Sequence, residues 1–410
     1  MRKILICLII IFSFVTLYGE NNKNVILGID LFLIEGYKKY IGKNIGLITN
    51  QTGITSKLTA NIDEMYKHNE INLVALYCPE HGIRGASRAS ETIKNEIDSR
   101  TNLPIISLYG KYKKPTEEML KEIDVLIYDI QDIGVRTYTY IYTMAYAMEA
   151  SKEFNKEFLV LDRPIAMYGN LVDGNILEEE FSSFIGLYPI PYIYGMTVGE
   201  LAVYLNTEFN INANLSVIKM ENYNHEMDFS NTNALWIPTS PHIPTEDTSY
   251  YYATTGSIGE LGTISNGVGY TMPFKLIGQE WIDSHKLETN LNKLNLEGVK
   301  FREFHYKPFY TSLKDKIVNG VQVMITDKKR FKPFITQLHI LYELNKLENN
   351  PGFLDKQLKK NNLNMFDKSF GTDKIRKAIL DGKTVDEIVK SYEKDLEDFK
   401  KKREKYLLYE

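Results

Sequence analysis

The sequence predicts an α/β fold: a Rossmann-like domain with a mostly parallel sheet, then a second, smaller α/β (α+β) domain, with a cleft between them. Three observations carry this. From residue 25 onward, short β-branched runs alternate with helix-like segments, the pattern of strands joined by crossover helices. The strand-like runs are apolar almost throughout, as strands covered on both faces must be. After about residue 165 the alternation becomes irregular, which places the domain division there: 23–165 for the first domain and 166–410 for the second.

In order, "VILGI", "NIGLIT", "INLVALY", "PIISLY", "DVLIYDI" and "EFLVLD" read as strands, with helices expected over 58–68, 115–122 and 137–152. No G-x-G-x-x-G follows the first strand, so no dinucleotide is expected. Further on, "TVGELAVYLNTEF" reads as a helix opened by a Thr197/Glu200 capping box. "LSVIKM", "GVKFREFHYKP" and "GVQVMITD" read as strands. The closing helices end in one whose Ile388, Tyr392, Leu396 and Phe399 form an apolar stripe, expected to pack on the second domain. Residues 236–274, rich in proline and glycine among aromatics and hydroxyls, read as a long ordered loop forming the other wall of the cleft.

The chain opens with Arg2 and Lys3, an apolar run over 4–18, then Gly19 and polar residues, which reads as a secretory signal over 1–19. The expected location is therefore outside the cytoplasmic membrane, periplasmic or extracellular, with no stable membrane span after cleavage. Cys7 lies inside that run, so Cys78 has no disulfide partner, and the fold must be held by its core. Cys78 itself reads as a small buried hydrophobe at a strand end. A net charge of −4 offers no basic surface and excludes nucleic acid as an expected partner. With no H-E-x-x-H, no cysteine cluster and 7 histidines, no metal is expected, and no other cofactor is indicated. The absence of G-x-S-x-G argues against a serine nucleophile. The 28 tyrosines suit a sugar ligand, since a ring offers an apolar face and its hydroxyl a hydrogen bond.

Open sheets bind ligands beyond the carboxyl ends of their strands. Those ends carry Asn50, then Glu80, His81 and Arg84 in "LYCPEHGIRG", then Tyr109. Next come Asp129, Gln131, Asp132 and Arg136, and finally Asp162 and Arg163. Five strand ends thus converge on one polar rim.

The motifs "GLITNQTGIT", "PEHGIRG", "SLYGKYKKPT", "DVLIYDIQDIGVRTYTYIYTM", "LDRP", "PIPYIYGMTVGEL", "WIPTSPHIPT" and "GTDKIRKAI" resemble, in order and nearly end to end, the exo-β-N-acetylmuramidases of peptidoglycan turnover, long catalogued as a domain of unknown function. The resemblance implies an exo-acting glycoside hydrolase, its cleft between two domains, releasing N-acetylmuramic acid from non-reducing ends of peptidoglycan fragments. The expected partner is therefore a peptidoglycan-derived saccharide. The chain departs from the pattern at "DRPIAMYG", where relatives commonly read "DRPNPI-G". It departs again at "GELGTISNGVGY", which keeps Glu260 and Ser265 but loses a glutamate and an arginine. Both departures fall near the expected cleft, so the resemblance carries membership further than substrate detail.

Glycoside cleavage needs a proton for the leaving oxygen and a second carboxyl to act as nucleophile or to activate water. Glu80 is the expected acid, fixed at a strand end by the family-like "PEHG" turn. Its alternative role is to orient His81 or Arg84. Glu91, Asp129 and Asp132 compete for the second role. Asp129 and Gln131 face one side of an extended backbone and Asp132 the other. Tyr138 is a further candidate nucleophile. Two strands apart, Glu80 and Asp129 would stand roughly 9 to 10 Å apart, which favours inversion. The lactyl carboxylate of N-acetylmuramic acid suits a guanidinium, so Arg84, Arg136 and Arg163 are candidates, each with an ion pair to Asp129, Asp132 or Asp162 as the structural alternative. Asn50, Gln131, Asp162 and His242 complete the expected substrate-binding set, with His81 tuning Glu80 or bonding a sugar hydroxyl. The rival readings are a non-catalytic muropeptide-binding protein and an amidase or esterase acting on muropeptides.

Overall fold

Six apolar runs line up as parallel neighbours in one sheet: β1 (Asn44–Thr49), β2 (Asn72–Cys78), β4 (Pro104–Ser107), β5 (Val125–Asp129), β6 (Glu157–Leu161) and β9 (Asn214–Ile218). A short antiparallel β3 (Glu96–Ile97) completes the order β3-β4-β2-β1-β5-β6-β9. The computed structural model describes residues 24–84, 96–355 and 360–410, with the side chains of 360–363 left aside. The N-terminal apolar run, Cys7 and Glu91 lie outside the described residues.

Each sheet face has its own core because side chains alternate along a strand. On one face, α1 (Gly28–Ile34) and α2 (Asn61–Lys67) pack Ile29, Phe32, Ile62 and Met65 against Ile45, Leu47, Val125 and Ile127. After the short α3 (Glu117–Leu120), α4 (Tyr140–Glu153) and α5 (Val198–Glu208) cover the other face. There Ile141, Met144, Leu201 and Leu205 meet Leu126, Tyr128, Phe158 and Val160. The Thr197/Glu200 capping box is present. Cys78 is fully buried, and burial pushes its thiol up to about 12, so it is inert at neutral pH.

Three readings change. "VILGI" is not a strand: Ile26 makes one bridge to Glu221 and the chain turns into α1 at Gly28, where a Cβ would stand 2.4 Å from the Asp162 nitrogen. "LSVIKM" belongs to the first sheet as β9, so that sheet continues past residue 165. The stretch 236–274 is not loop throughout, since α6 (Thr248–Gly259) forms inside it. Its hydroxyl and glycine composition reads as loop, yet burial on nearly every side overrides that weak propensity.

The second part holds a β7 (Asp173–Ile176)/β8 (Pro191–Ile193) ribbon and an antiparallel sheet of β10 (Leu276–Gln279), β12 (Val318–Ile325) and β11 (Val299–Tyr306). Around them pack α7 (Ser284–Lys293), α8 (Pro333–Asn345), α9 (Lys360–Phe370), α10 (Lys374–Leu380) and α11 (Val385–Arg403), with the expected stripe of α11 buried.

Arg136 joins the two parts, and this corrects its expected role as a carboxylate reader. Its side chain is fully buried and pairs with none of Asp129, Asp132 or Asp162. The guanidinium donates to the carbonyls of Asn175 (2.7 Å), Ile190 (2.8 Å) and Phe370 (2.6 Å). Burial lowers its pKa to about 10, which still leaves it charged at pH 7. Gly371, at φ +71°, lets the chain pass: a Cβ there would lie 2.8 Å from Nη2. Arg136→Leu would remove three charge-assisted hydrogen bonds, typically about 1.5–3 kcal/mol each, and leave the Asn175 carbonyl without a described donor, while the Ile190 and Phe370 carbonyls keep bonds from the Leu177 N–H and Asn175 Nδ2. Chemical denaturation should therefore show a loss of at least about 3 kcal/mol, and a loss below about 1 kcal/mol would refute this role.

Candidate active site

The end of β2 runs into the turn Pro79-Glu80-His81-Gly82, closed by a Gly82 N–H to Pro79 carbonyl bond of 3.2 Å. Two successive residues adopt left-handed backbone, His81 at φ +73° and Gly82 at φ +76°. Glycine does so freely, whereas His81 is held there by its burial. The turn leaves Glu80 half-buried, with its Oε2 3.5 Å from the Thr139 hydroxyl at the N-cap of α4.

A strap from the second half of the chain crosses this rim. Gln51 at the end of β1 donates to the Pro238 and Thr239 carbonyls, both at 2.9 Å. Tyr138 donates to the Thr239 hydroxyl at 2.7 Å and Tyr140 to its carbonyl at 2.6 Å. Beyond the strap, His242 bonds the Tyr310 hydroxyl at 2.7 Å. Burial lowers the His242 pKa, and the charge of nearby His81 lowers it further. Both histidines expected at the site are thus brought together beside Glu80.

Of the carboxylates expected to partner Glu80, the two among the described residues, Asp129 and Asp132, are built into the scaffold. β1 lies between β2 and β5, so Glu80 and Asp129 do follow strands two apart. Asp129, however, is fully buried, gripped by Arg163 Nε at 2.5 Å and by Asn61 Nδ2 at 2.7 Å. Asp162 is equally buried and accepts from Thr197 (2.7 Å), the Gly199 N–H (2.8 Å) and Tyr409 (2.6 Å). Asp132 accepts from Tyr194 and from the Gly134 N–H, and its Oδ1 is buried with no described partner. Desolvation pushes both Asp132 and Asp162 up to about 6, against the opposing hydrogen bonds. Tyr138 is a poor nucleophile here: burial raises its pKa above the ordinary value, and its hydroxyl is already spent on Thr239.

The arginines and amides follow suit. Arg84 pairs with Asp98 (3.0 Å) and Asp63 (3.6 Å), neither of them an expected partner. Arg163 holds Asp129 and also donates to the Ile54 carbonyl at 2.9 Å, in the wall of a small cavity of about 140 Å³ shared with Thr52 and Gln131. The Gln131 amide donates to the Asp132 and Pro164 carbonyls at 2.9 and 2.7 Å. Asn50 accepts from the Thr52 N–H and hydroxyl, and its Nδ2 is buried without a described partner.

Sequence reading assigned the other wall to 236–274 but singled out none of its aromatic residues. Tyr252 stands edge-on to Tyr138, ring centroids 5.9 Å apart, and bonds Thr137 at 3.1 Å. Its other side opens a cavity of about 340 Å³ that also contains Glu260, Ser265, Phe274 and Thr311. The family-like loop around Glu260 was the available signal. For Asn61 and Thr139 no sequence signal exists, since helix starts carry such residues routinely. Among the described residues, no group of three or more His, Cys, Asp or Glu is arranged to hold a metal, and no helix is long and apolar enough to cross a membrane.

Comparison with known proteins matches this geometry to a family. Residues 45–247 match the N-terminal model, and 250–409 the C-terminal model, of "Exo-beta-N-acetylmuramidase NamZ". The peptidoglycan beta-N-acetylmuramidase NamZ of Bacillus subtilis (strain 168) is 45% identical over 382 residues, covering 93% of this chain and 91% of that protein. Two crystal structures of DUF1343 family proteins from Bacteroides fragilis NCTC 9343 share the fold. One has a TM-score of 0.89 at 43% identity, covering 94% of this chain and 99% of its own. The other has a TM-score of 0.76 at 31% identity, covering 95% and 99%.

Two outcomes follow from the buried carboxylates. Asp129→Asn would leave Arg163 charged and buried without its counterion, at about 3–5 kcal/mol. The variant should lose that stability in denaturant, and a fully stable Asp129→Asn protein would overturn the scaffold role. Asp132 and Asp162 hold their protons more tightly folded, at about 6, than in the unfolded chain near ~3.9. Their contribution to stability is therefore complete below about pH 4 and is lost as pH rises through about 6. Asp132→Asn should flatten part of that decline between pH 4 and 6.5 in urea unfolding, and an unchanged slope would contradict it.

Proposed function

The chain belongs to the exo-β-N-acetylmuramidase NamZ family, and from that premise we infer that it is an exo-acting glycoside hydrolase releasing N-acetylmuramic acid from the non-reducing ends of peptidoglycan fragments. One observation supports Glu80 as its acid. Of the strand-end carboxylates among the described residues, Asp129, Asp132 and Asp162 are sunk in the scaffold, whereas Glu80 is half-exposed on the rim beneath the 238–242 strap.

In this reading Glu80 gives its proton to the glycosidic oxygen as the bond from that oxygen to the anomeric carbon breaks. The positive charge developing on the sugar ring is met by a second carboxyl, and water supplies the oxygen that replaces the leaving group. Asp129 does not suit that second role, because it is fully buried and each of its oxygens is already held by the scaffold, one by Arg163 and one by Asn61. In this reading His81, next to Glu80 in the turn, tunes the acid or bonds a sugar hydroxyl, and His242 across the strap contributes to substrate binding. The N-terminal apolar run supports action outside the cytoplasmic membrane, where peptidoglycan lies.

Glu80→Gln should fold normally and lose about 10²- to 10⁴-fold in kcat on a natural fragment, the range for general acid catalysis. On a nitrophenyl β-N-acetylmuramide the loss should shrink, because that leaving group needs little protonation. Equal losses on both substrates would remove Glu80 from the acid role. Binding of muropeptide by the unmodified protein without any release of sugar would favour a binding protein instead.

A further inference from the structure

The cavity of about 340 Å³ behind Tyr252 lies outside the set of strand-end residues and is built mainly from the second half of the chain. Its composition is that of a polar-ring site. The Tyr252 ring, Phe274 and Val268 give apolar wall; Ser265 and Thr311 bring hydroxyls; and Gly256, Gly259 and Gly262 line the rest with backbone. A volume of this size falls in the range of small-ligand sites.

Glu260 is the charged group of that wall. It caps the carboxyl end of α6, the end where a helix dipole disfavours a negative charge. No described hydrogen bond or ion pair reaches its carboxylate, and the surrounding protein desolvates it enough to raise its pKa. Set against the dipole on the cavity wall, with no cation described beside it, Glu260 has nothing described in the fold to offset the cost of its charge, so its placement points to a ligand. The cavity shares a wall with the proposed catalytic rim, through the edge-on Tyr138–Tyr252 pair and the Thr137–Tyr252 bond; Thr139, which bonds Glu80, is the residue after Tyr138.

We propose that this cavity is a saccharide subsite, in which a pyranose ring lies against Tyr252 and Phe274 while Glu260 accepts hydrogen bonds from its hydroxyl or acetamido N–H groups. The assignment rests on the glycosidase reading for the identity of the sugar. It adds a contact from the second half of the chain to a site otherwise assembled from the sheet and its strap. A hydrogen bond to a charged acceptor is typically worth about 1.5–3 kcal/mol, so its removal should weaken binding by roughly tenfold or more.

The test is calorimetric titration with the β-linked N-acetylmuramyl-N-acetylglucosamine disaccharide, using Glu80→Gln protein so that the ligand stays intact. Adding Glu260→Ala should raise Kd about tenfold or more without moving Tm. Adding Ser312→Trp, which fills the cavity from an exposed position on its rim, should do the same. A Kd within twofold of the Glu80→Gln parent in both double variants would overturn the subsite. The glycosidase reading fails separately, if the unmodified enzyme binds the disaccharide yet leaves it uncut.

Discussion

A buried cation with no counterion among the described residues holds the two halves of this molecule in register. The Arg136 guanidinium is neutralised by carbonyl dipoles from β7, the stretch before β8 and the end of α9, three segments far apart in sequence. Carbonyl oxygens can solvate a guanidinium only if each arrives at the right place, so the contact is geometrically demanding as well as stabilising. Its consequence is local. The loop after β5 carries Asp132 on one side of Arg136 and Tyr138 on the other, so fixing Arg136 fixes the floor of the cleft.

The same economy governs the carboxylates at the strand ends. Asp129 and Asp162 sit where β5 and β6 stop, and each is consumed by a buried hydrogen-bond network: Asp129 by Arg163 and Asn61, Asp162 by Thr197, Gly199 and Tyr409. An ionised carboxylate at such depth is best tolerated beside a cation, as Asp129 has in Arg163; Asp132 and Asp162, with no ion pair among the described residues, are pushed by desolvation up to about 6 in spite of their hydrogen bonds. Glu80 escapes this fate because His81 and Gly82 turn the chain sharply enough to keep its side chain at the surface of the rim.

The tyrosines illustrate how composition misleads about location. Their abundance suggested a sugar-facing surface, yet Tyr138, Tyr140, Tyr142, Tyr192 and Tyr194 are buried and spend their hydroxyls on Thr239, Arg136, Ser257 and Asp132. They act as long polar struts that bind the strap and the β7/β8 ribbon to the sheet. Tyr252, half-buried on the wall of the larger cavity, is the one whose ring faces the proposed saccharide.

Local pattern determined a great deal. The parallel strands, the capping box at Thr197, the apolar stripe of α11, the burial of Cys78 and the family itself are written in periodicity and in motifs long enough to be distinctive, because these properties depend on near neighbours in the chain. It did not determine that β9 joins the first sheet, or that 248–259 is a helix, since both depend on what packs against those residues. Nor did it sort the rim. Asp129, Arg136 and Arg163 look identical to Glu80 as polar residues at strand ends, and the difference between scaffold and site is made by partners 34 to 234 residues away. Only the tertiary structure decides which charge is sunk in the scaffold and which lies near the surface of the rim, because burial is a property of the folded surroundings and not of the residue.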